Sequence, residues 1–141
     1  MNQTLDLPAF VKAAADAIIA AGADGQIIFW NAAAMRIFGY SEAEALDQSL
    51  DLIIPERFRP RHWEGYREVM ATGKTKYGAD VLRVPAVDKA GRSLSIAFTV
   101  TLLDSSGGGR VIAAIVRDET VRWNEERELK RRLAELEQRV K

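Results

Sequence analysis

The chain has one histidine, His62, and no cysteine. This bounds its chemistry at once. Disulfides, thiolate metal sites, cysteine nucleophiles and cysteinyl-adduct photochemistry are excluded. A zinc site built on several histidines is excluded too. A Ser-His-Asp triad would have to use His62. His62 lies in RPRHWEGYREVMATG, which the pattern predicts as a helix from about Pro60 to Ala71, stopped by Gly73. His62, Tyr66, Val69 and Met70 then stand at i, i+4, i+7 and i+8 and share one face. A neutral imidazole there is either a metal ligand or a partly exposed polar residue on a charged helix. Gly65, inside the same helix, costs about 1 kcal/mol against alanine. It reads as room for a bulky group against the backbone or as a tolerated imperfection.

Other constellations are weaker. Glu64 and Glu68 are one turn apart, but two carboxylates on a charged helix read as a solvated face rather than an acid–base pair. Arg57, Arg59, Arg61 and Arg67 surround the same helix as anion partners or as solvated charge. Ser105–Gly109 is glycine-rich, yet it lacks the Lys-Ser/Thr of a phosphate loop and lies between strands. No constellation supports catalysis, and the chain is read as not an enzyme.

These residues sit in a chain of 141 residues, 48% hydrophobic and 28% charged, a soluble globular composition with one sizeable core. Lys+Arg and Asp+Glu are both 20, so the formal charge is zero. That balance gives no support to nucleic-acid or membrane-surface binding. No run approaches the ~20 apolar residues of a membrane span, and the N-terminus lacks signal-peptide features. The expected location is cytoplasmic. The chain stops inside a charged helical pattern at Lys141 and reads as a piece of something longer.

Residues 8–17 begin with a proline suited to a first helical turn. AIIAAGA and QIIFW flank Asp24-Gly25, a hairpin signal. Asn31 is an N-cap for a short helix that Gly39 ends, and Ser41 opens a capping box with Glu44. After residue 75, YGADVLRVPAV, RSLSIAFTVTLL and RVIAAIVRD read as three strands, separated by Lys89-Ala90-Gly91 and Ser105–Gly109. In the middle one Leu94, Ile96, Phe98 and Val100 alternate with small or polar residues. Two strands, short helices and three strands make an α+β domain. Trp30 is expected to cover the core at a strand end, and Trp63 to be a packing or interface residue. From residue 119 the pattern is helical, and Leu129, Leu133, Leu136 and Val140 repeat at 4, 3 and 4, a short coiled-coil seam expected to dimerise.

DGQIIFWNAAAMRIFGYSEAEALD resembles the first half of a PAS domain, a sensor module of signalling proteins. AGRSLSIAFTVTLL resembles a later PAS strand. RVIAAIVRDET resembles the last strand with its Asp-x-Thr exit motif, here Asp118 and Thr120. The resemblance covers about residues 10–120. It implies a five-stranded antiparallel sheet with helices on one face, a cavity between them, and an exit helix that carries the signal to an effector. The expected organisation is an N-terminal helical cap (1–17), the sensor domain (18–118) and a signalling helix (119–141).

RHWEGYREVMATGK is similar to the haem-binding PAS domains of oxygen-sensing histidine kinases. The resemblance implies that His62 ligates the iron of haem b, leaving the other face open to O2, CO or NO. Tyr66, Val69, Met70, Val84, Ile96, Phe98, Val100, Ile112 and Ala114 would line the cofactor pocket. Asp118, Thr120, Leu129, Leu133, Leu136 and Val140 would relay the signal and hold a homodimer. At the place of the family's arginine six residues after the histidine, this chain has Glu68. The alternative is a haem-free dimerising module, with an apolar ligand, a redox flavin or an empty pocket.

Overall fold

The computed structural model describes residues 3–75, 78–105 and 107–140. The first residues of the predicted strand YGADVLRVPAV and of the Ser105–Gly109 loop fall partly on Tyr77 and Ser106, outside the described residues. The elements run α1 (Leu7–Ala13), β1 (Ala17–Gly22), β2 (Ile27–Trp30), α2 (Ala32–Phe38), α3 (Glu42–Ala45), two 3-10 turns (Leu50–Ile53 and Glu56–Phe58), α4 (Arg59–Thr72), β3 (Leu82–Val87), β4 (Ser93–Asp104), β5 (Arg110–Asp118) and α5 (Thr120–Val140). The five strands form one antiparallel sheet in the order β2-β1-β5-β4-β3. This is the predicted α+β architecture. No helix among the described residues is long and apolar enough to cross a membrane.

Local signals set the element ends. Gly25 takes φ +81 in the β1–β2 turn, a conformation open to glycine at little cost. Asn31 caps α2 and Gly39 ends it in the left-handed region. The Ser41–Glu44 capping box closes in both directions. Asn31 does more than cap. Its Oδ1 accepts from Ile18 N at 3.0 Å and Ala34 N at 3.1 Å, and its Nδ2 donates to Val11 O and Asp16 O. One buried side chain thus joins the N-terminal segment, β1 and α2. Helix α1 ends at Ala13, and β1 pairs from Ala17.

Register fixes which residues share a face. Ala17, Ile19 and Ala21 lie opposite Val116, Ala114 and Ile112. These lie opposite Phe98, Val100 and Leu102. Leu82 and Val84 in turn pair with Phe98 and Ile96. Cross-strand partners point to the same side of a sheet. This inner face packs on α2, with Ala33, Ala34, Phe38 and Trp30 in one buried cluster. Trp30 is buried as expected, and its Nε1 donates to Tyr40 O at 2.9 Å.

Helix α5 leaves β5 through the exit motif. Thr120 N donates to Asp118 Oδ1 at 2.9 Å, Ser95 N donates to Thr120 Oγ1 at 3.0 Å, and Glu119 N donates to Ser95 O at 2.8 Å. The first turn of α5 is thereby tied to β4, one residue from inner-face Ile96. Beyond it, α5 is a helix exposed along its length, and Leu129, Leu133, Leu136 and Val140 are 55–87% exposed. Arg131 bridges Glu128 and Glu135 on its charged side.

Candidate functional site

Three anchors position α4. At its start, Arg59 donates to Ile54 O at 3.0 Å and Asp51 O at 3.2 Å, and its guanidinium lies 3.8 Å from the Asp51 carboxylate. At its middle, Tyr66 donates its hydroxyl to Gly22 O in the β1–β2 turn. At its end, Arg110 of β5 donates to Met70 O. Of the four arginines flagged as anion partners, Arg59 is therefore committed to holding the helix, and Arg57 stacks on the Phe58 ring at 4.7 Å. Gly65 has no neighbouring atom within 4 Å of a built Cβ, so nothing in this structure uses its missing side chain.

Tyr66 is buried, and His62, Trp63, Val69 and Met70 are half-buried beside it. The predicted face of α4 is thus the inward one. The His62 ring meets Trp63 edge-on at 4.6 Å between centroids and tilts against Tyr66 at 5.6 Å. Trp63 in turn donates from Nε1 to Asp51 Oδ1 at 2.7 Å. Its ring sits so close to Gly25 that a Cβ there would fall 2.2 Å from a ring carbon.

His62 Nδ1 is buried and has no hydrogen-bond partner, the one such side-chain nitrogen or oxygen among the described residues. Burial holds the His62 pKa below its ordinary 6.5, with the Asp51 charge opposing that shift. The imidazole is therefore neutral at pH 7, the form that ligates metals. Burial also pushes the Tyr66 hydroxyl well above the ordinary tyrosine pKa, helped by Asp24, so it stays a donor to Gly22.

On the sheet, the inner face divides in two. Ala17, Ile19, Ala21 and Trp30 are at most 4% exposed. Phe98, Val100, Leu102, Ile112 and Ala114 share that face but remain partly open to solvent. Ile96 is buried, and Val84, at the sheet edge, is 38% exposed. All six sheet residues predicted to line a pocket therefore share one face, and most of them border an uncovered stretch of it. Beside that stretch lies an open cleft of about 540 Å3, lined by Gly73, Thr75, Gly78, Ala79, Thr99, Val100, Thr101 and Leu102.

Sequence reasoning missed Asp51 and Arg110. Arg110 acts on Met70, 40 positions earlier, and Asp51 on Arg59 and Trp63, 8 and 12 positions later, and no local pattern marks such contacts. Among the described residues, no three His, Asp or Glu side chains converge on a point that would hold a bare metal ion.

Comparison with known proteins agrees with this architecture. The family model described as the PAS fold matches residues 11–123. An uncharacterized protein of Azorhizobium caulinodans is 31% identical over 124 residues, 87% of this chain and 17% of that protein. The oxygen sensor protein DosP of Escherichia coli is 27% identical over 96 residues, 68% of this chain. The chain spans only 17% and 12% of the lengths of these two relatives. A solved PAS domain from a two-component sensor histidine kinase superposes with a TM-score of 0.62 at 21% identity, covering 78% of this chain and 90% of that one.

Proposed function

The chain belongs to the PAS family of sensor modules in signalling proteins, and from that premise we propose that it binds haem b through His62 to sense a diatomic gas or a redox change. The observation that carries this reading is His62 itself: a neutral, half-buried imidazole whose Nδ1 has no partner. The unfilled inner face over β4 and β5 supports it, as does a relative whose name is oxygen sensor protein.

The residues present fit the cofactor. His62 would offer a ligating nitrogen to the iron; Tyr66, Val69 and Met70 continue its face of α4; Phe98, Val100, Ile112 and Ala114 would offer an apolar sheet surface. When bound, haem supplies an iron with one coordination position left for a gas. The chain's own part is to orient the imidazole, keep it neutral and exclude water. Trp63 and Asp51 fix the ring's surroundings, and Tyr66 fixes the helix. The inner-face strand β4 is bonded through Ser95 to the first turn of α5, so a shift in β4 bears directly on the exit helix. Two copies joined along Leu129, Leu133, Leu136 and Val140 would turn that shift into a change of subunit relation.

A second reading, a haem-free dimerising module with an apolar ligand, a flavin or an empty pocket, is favoured by the leucine row on α5, which is exposed whether or not a cofactor is present. The test is a haemin titration of the purified protein beside His62→Ala. One equivalent giving a sharp Soret band that the variant loses supports haem. No band, or equal binding by the variant, leaves the second reading.

A further inference from the structure

Strand β4 has 12 residues and its neighbour β3 has 6. On one edge β4 pairs with β5 as far as Asp104; on the other its pairing with β3 stops at Phe98↔Leu82. Among the described residues, nothing pairs with this edge of residues 99–104, and an open edge presents backbone donors and acceptors to a further strand. The chain just before β3 belongs to the run YGADVLRVPAV that the sequence reads as a strand, yet residues 78–81 lie in no strand pair, and Gly78 N donates to Thr75 Oγ1 at 3.3 Å.

The β3–β4 register continues by arithmetic, since partner numbers sum to 180 (82 and 98, 84 and 96). Four further pairs would be Val81↔Thr99, Asp80↔Val100, Ala79↔Thr101 and Gly78↔Leu102. Six of these eight residues, all but Asp80 and Val81, line the open cleft. The cleft is thus the gap between two segments that are in register but apart.

We propose that residues 78–81 are a strap that zips onto the free edge of β4, closing the cleft and bringing Asp80 onto the inner face opposite Val100. Asp80 then becomes a residue of the ligand site, so this part of the inference rests on the inner face being that site. Gly78 is a suitable hinge. It holds φ +53 in the open form with open space where a side chain would start, and glycine reaches the extended form equally well. The opposing cost is desolvation of the Asp80 carboxylate. A ligand offering a hydrogen-bond donor beside Val100 offsets that cost, which makes closure ligand-dependent.

The test uses the full chain, which has no native cysteine. Ala79→Cys/Thr101→Cys places two thiols on the same face of the zipped register. Asp80→Cys/Thr101→Cys places them on opposite faces. The strap predicts disulfide formation roughly tenfold faster in the first pair, because bridging demands close, converging Cβ atoms. Adding Asp80→Asn to the first pair raises its rate further. Equal rates in the two pairs overturn the strap. Should the cysteine variants not fold, amide exchange in the unaltered protein decides: protection at 79–81 above that of Gly107–Gly109 supports closure, and equal exchange overturns it. Haemin is then added to the first pair. Faster bridging ties the strap to the ligand site, and an unchanged rate with haemin bound overturns that link. If haemin does not bind at all, the proposed cofactor fails while the cross-linking comparison still stands.

Discussion

Trp63 Nε1 donates to Asp51 Oδ1 at 2.7 Å, and the same indole presses its ring on Gly25. A single side chain thus locks the first half of α4 to a 3-10 turn and to the β1–β2 hairpin. The neighbouring imidazole of His62 meets that indole edge-on at 4.6 Å between centroids.

Gly25→Ala is expected to break this lock. The residue holds φ +81, and a Cβ would overlap two Trp63 ring carbons at 2.2 and 2.3 Å. Strained backbone costs about 1–2 kcal/mol and overpacking about 1–3 kcal/mol. Urea unfolding should show a loss of about 2–5 kcal/mol. A loss under 1 kcal/mol would mean that Trp63 moves aside freely.

Asn31→Ala removes the junction of the N-terminal segment, β1 and α2. Two backbone donors, Ile18 N and Ala34 N, lose their acceptor, and two carbonyls lose a donor. The expected cost is about 2–4 kcal/mol by chemical denaturation. Proteolysis within residues 3–16 should quicken, since Asn31 holds Val11 and Asp16.

Stability should fall on mild acidification, with a definite sign. The His62 pKa is lowered in the folded protein by burial. Below the unfolded value of 6.5 the unfolded chain binds the proton first, so stability is full above that pH and declines as pH drops toward the lower folded value. Glu44 and Glu128, held at about 2 by their cationic partners, act only below about 4.5, so the two windows separate. Denaturant midpoints between pH 7.5 and 5 should decline in the unaltered protein and stay flatter in His62→Gln. An equal slope in both would place the titrating group elsewhere.

The α5 row predicts association. Leu129, Leu133 and Leu136 are 64%, 57% and 55% exposed, and a seam of barely two heptads is marginal alone, being stable as part of a dimer or as the start of a longer helix. Sedimentation should show a concentration-dependent dimer that Leu133→Glu converts to monomer. A monomer at all concentrations in the unaltered protein would contradict it.

Much of the frame is legible locally. As turn, cap or helix stop, Asp24-Gly25, Asn31, Gly39, the Ser41–Glu44 box and Gly73 each act within four residues, and each sits where its local chemistry requires. The alternation of Ile96, Phe98 and Val100 likewise predicts a shared face. What stayed hidden depends on contacts between distant segments. Arg59 looks like a free cation until Asp51 and Ile54 are beside it. The length of β3 is also illegible: the run YGADVLRVPAV reads as one strand, but pairing begins only at Leu82, after Gly78, Ala79 and Asp80, residue types that strands disfavour. Trp63 was expected to pack, yet its partner Gly25 lies 38 positions earlier, a distance over which no periodicity speaks.

The central claim is that His62 is a ligand and not just a core residue. The most direct measurement is the visible spectrum of His62→Ala with haemin, before and after adding free imidazole. The account predicts a weak, broad band that imidazole sharpens to the Soret position of the unaltered protein, because a small ring refills the place that the side chain vacated. A His62→Ala spectrum already identical to that of the unaltered protein, and unmoved by imidazole, would contradict it.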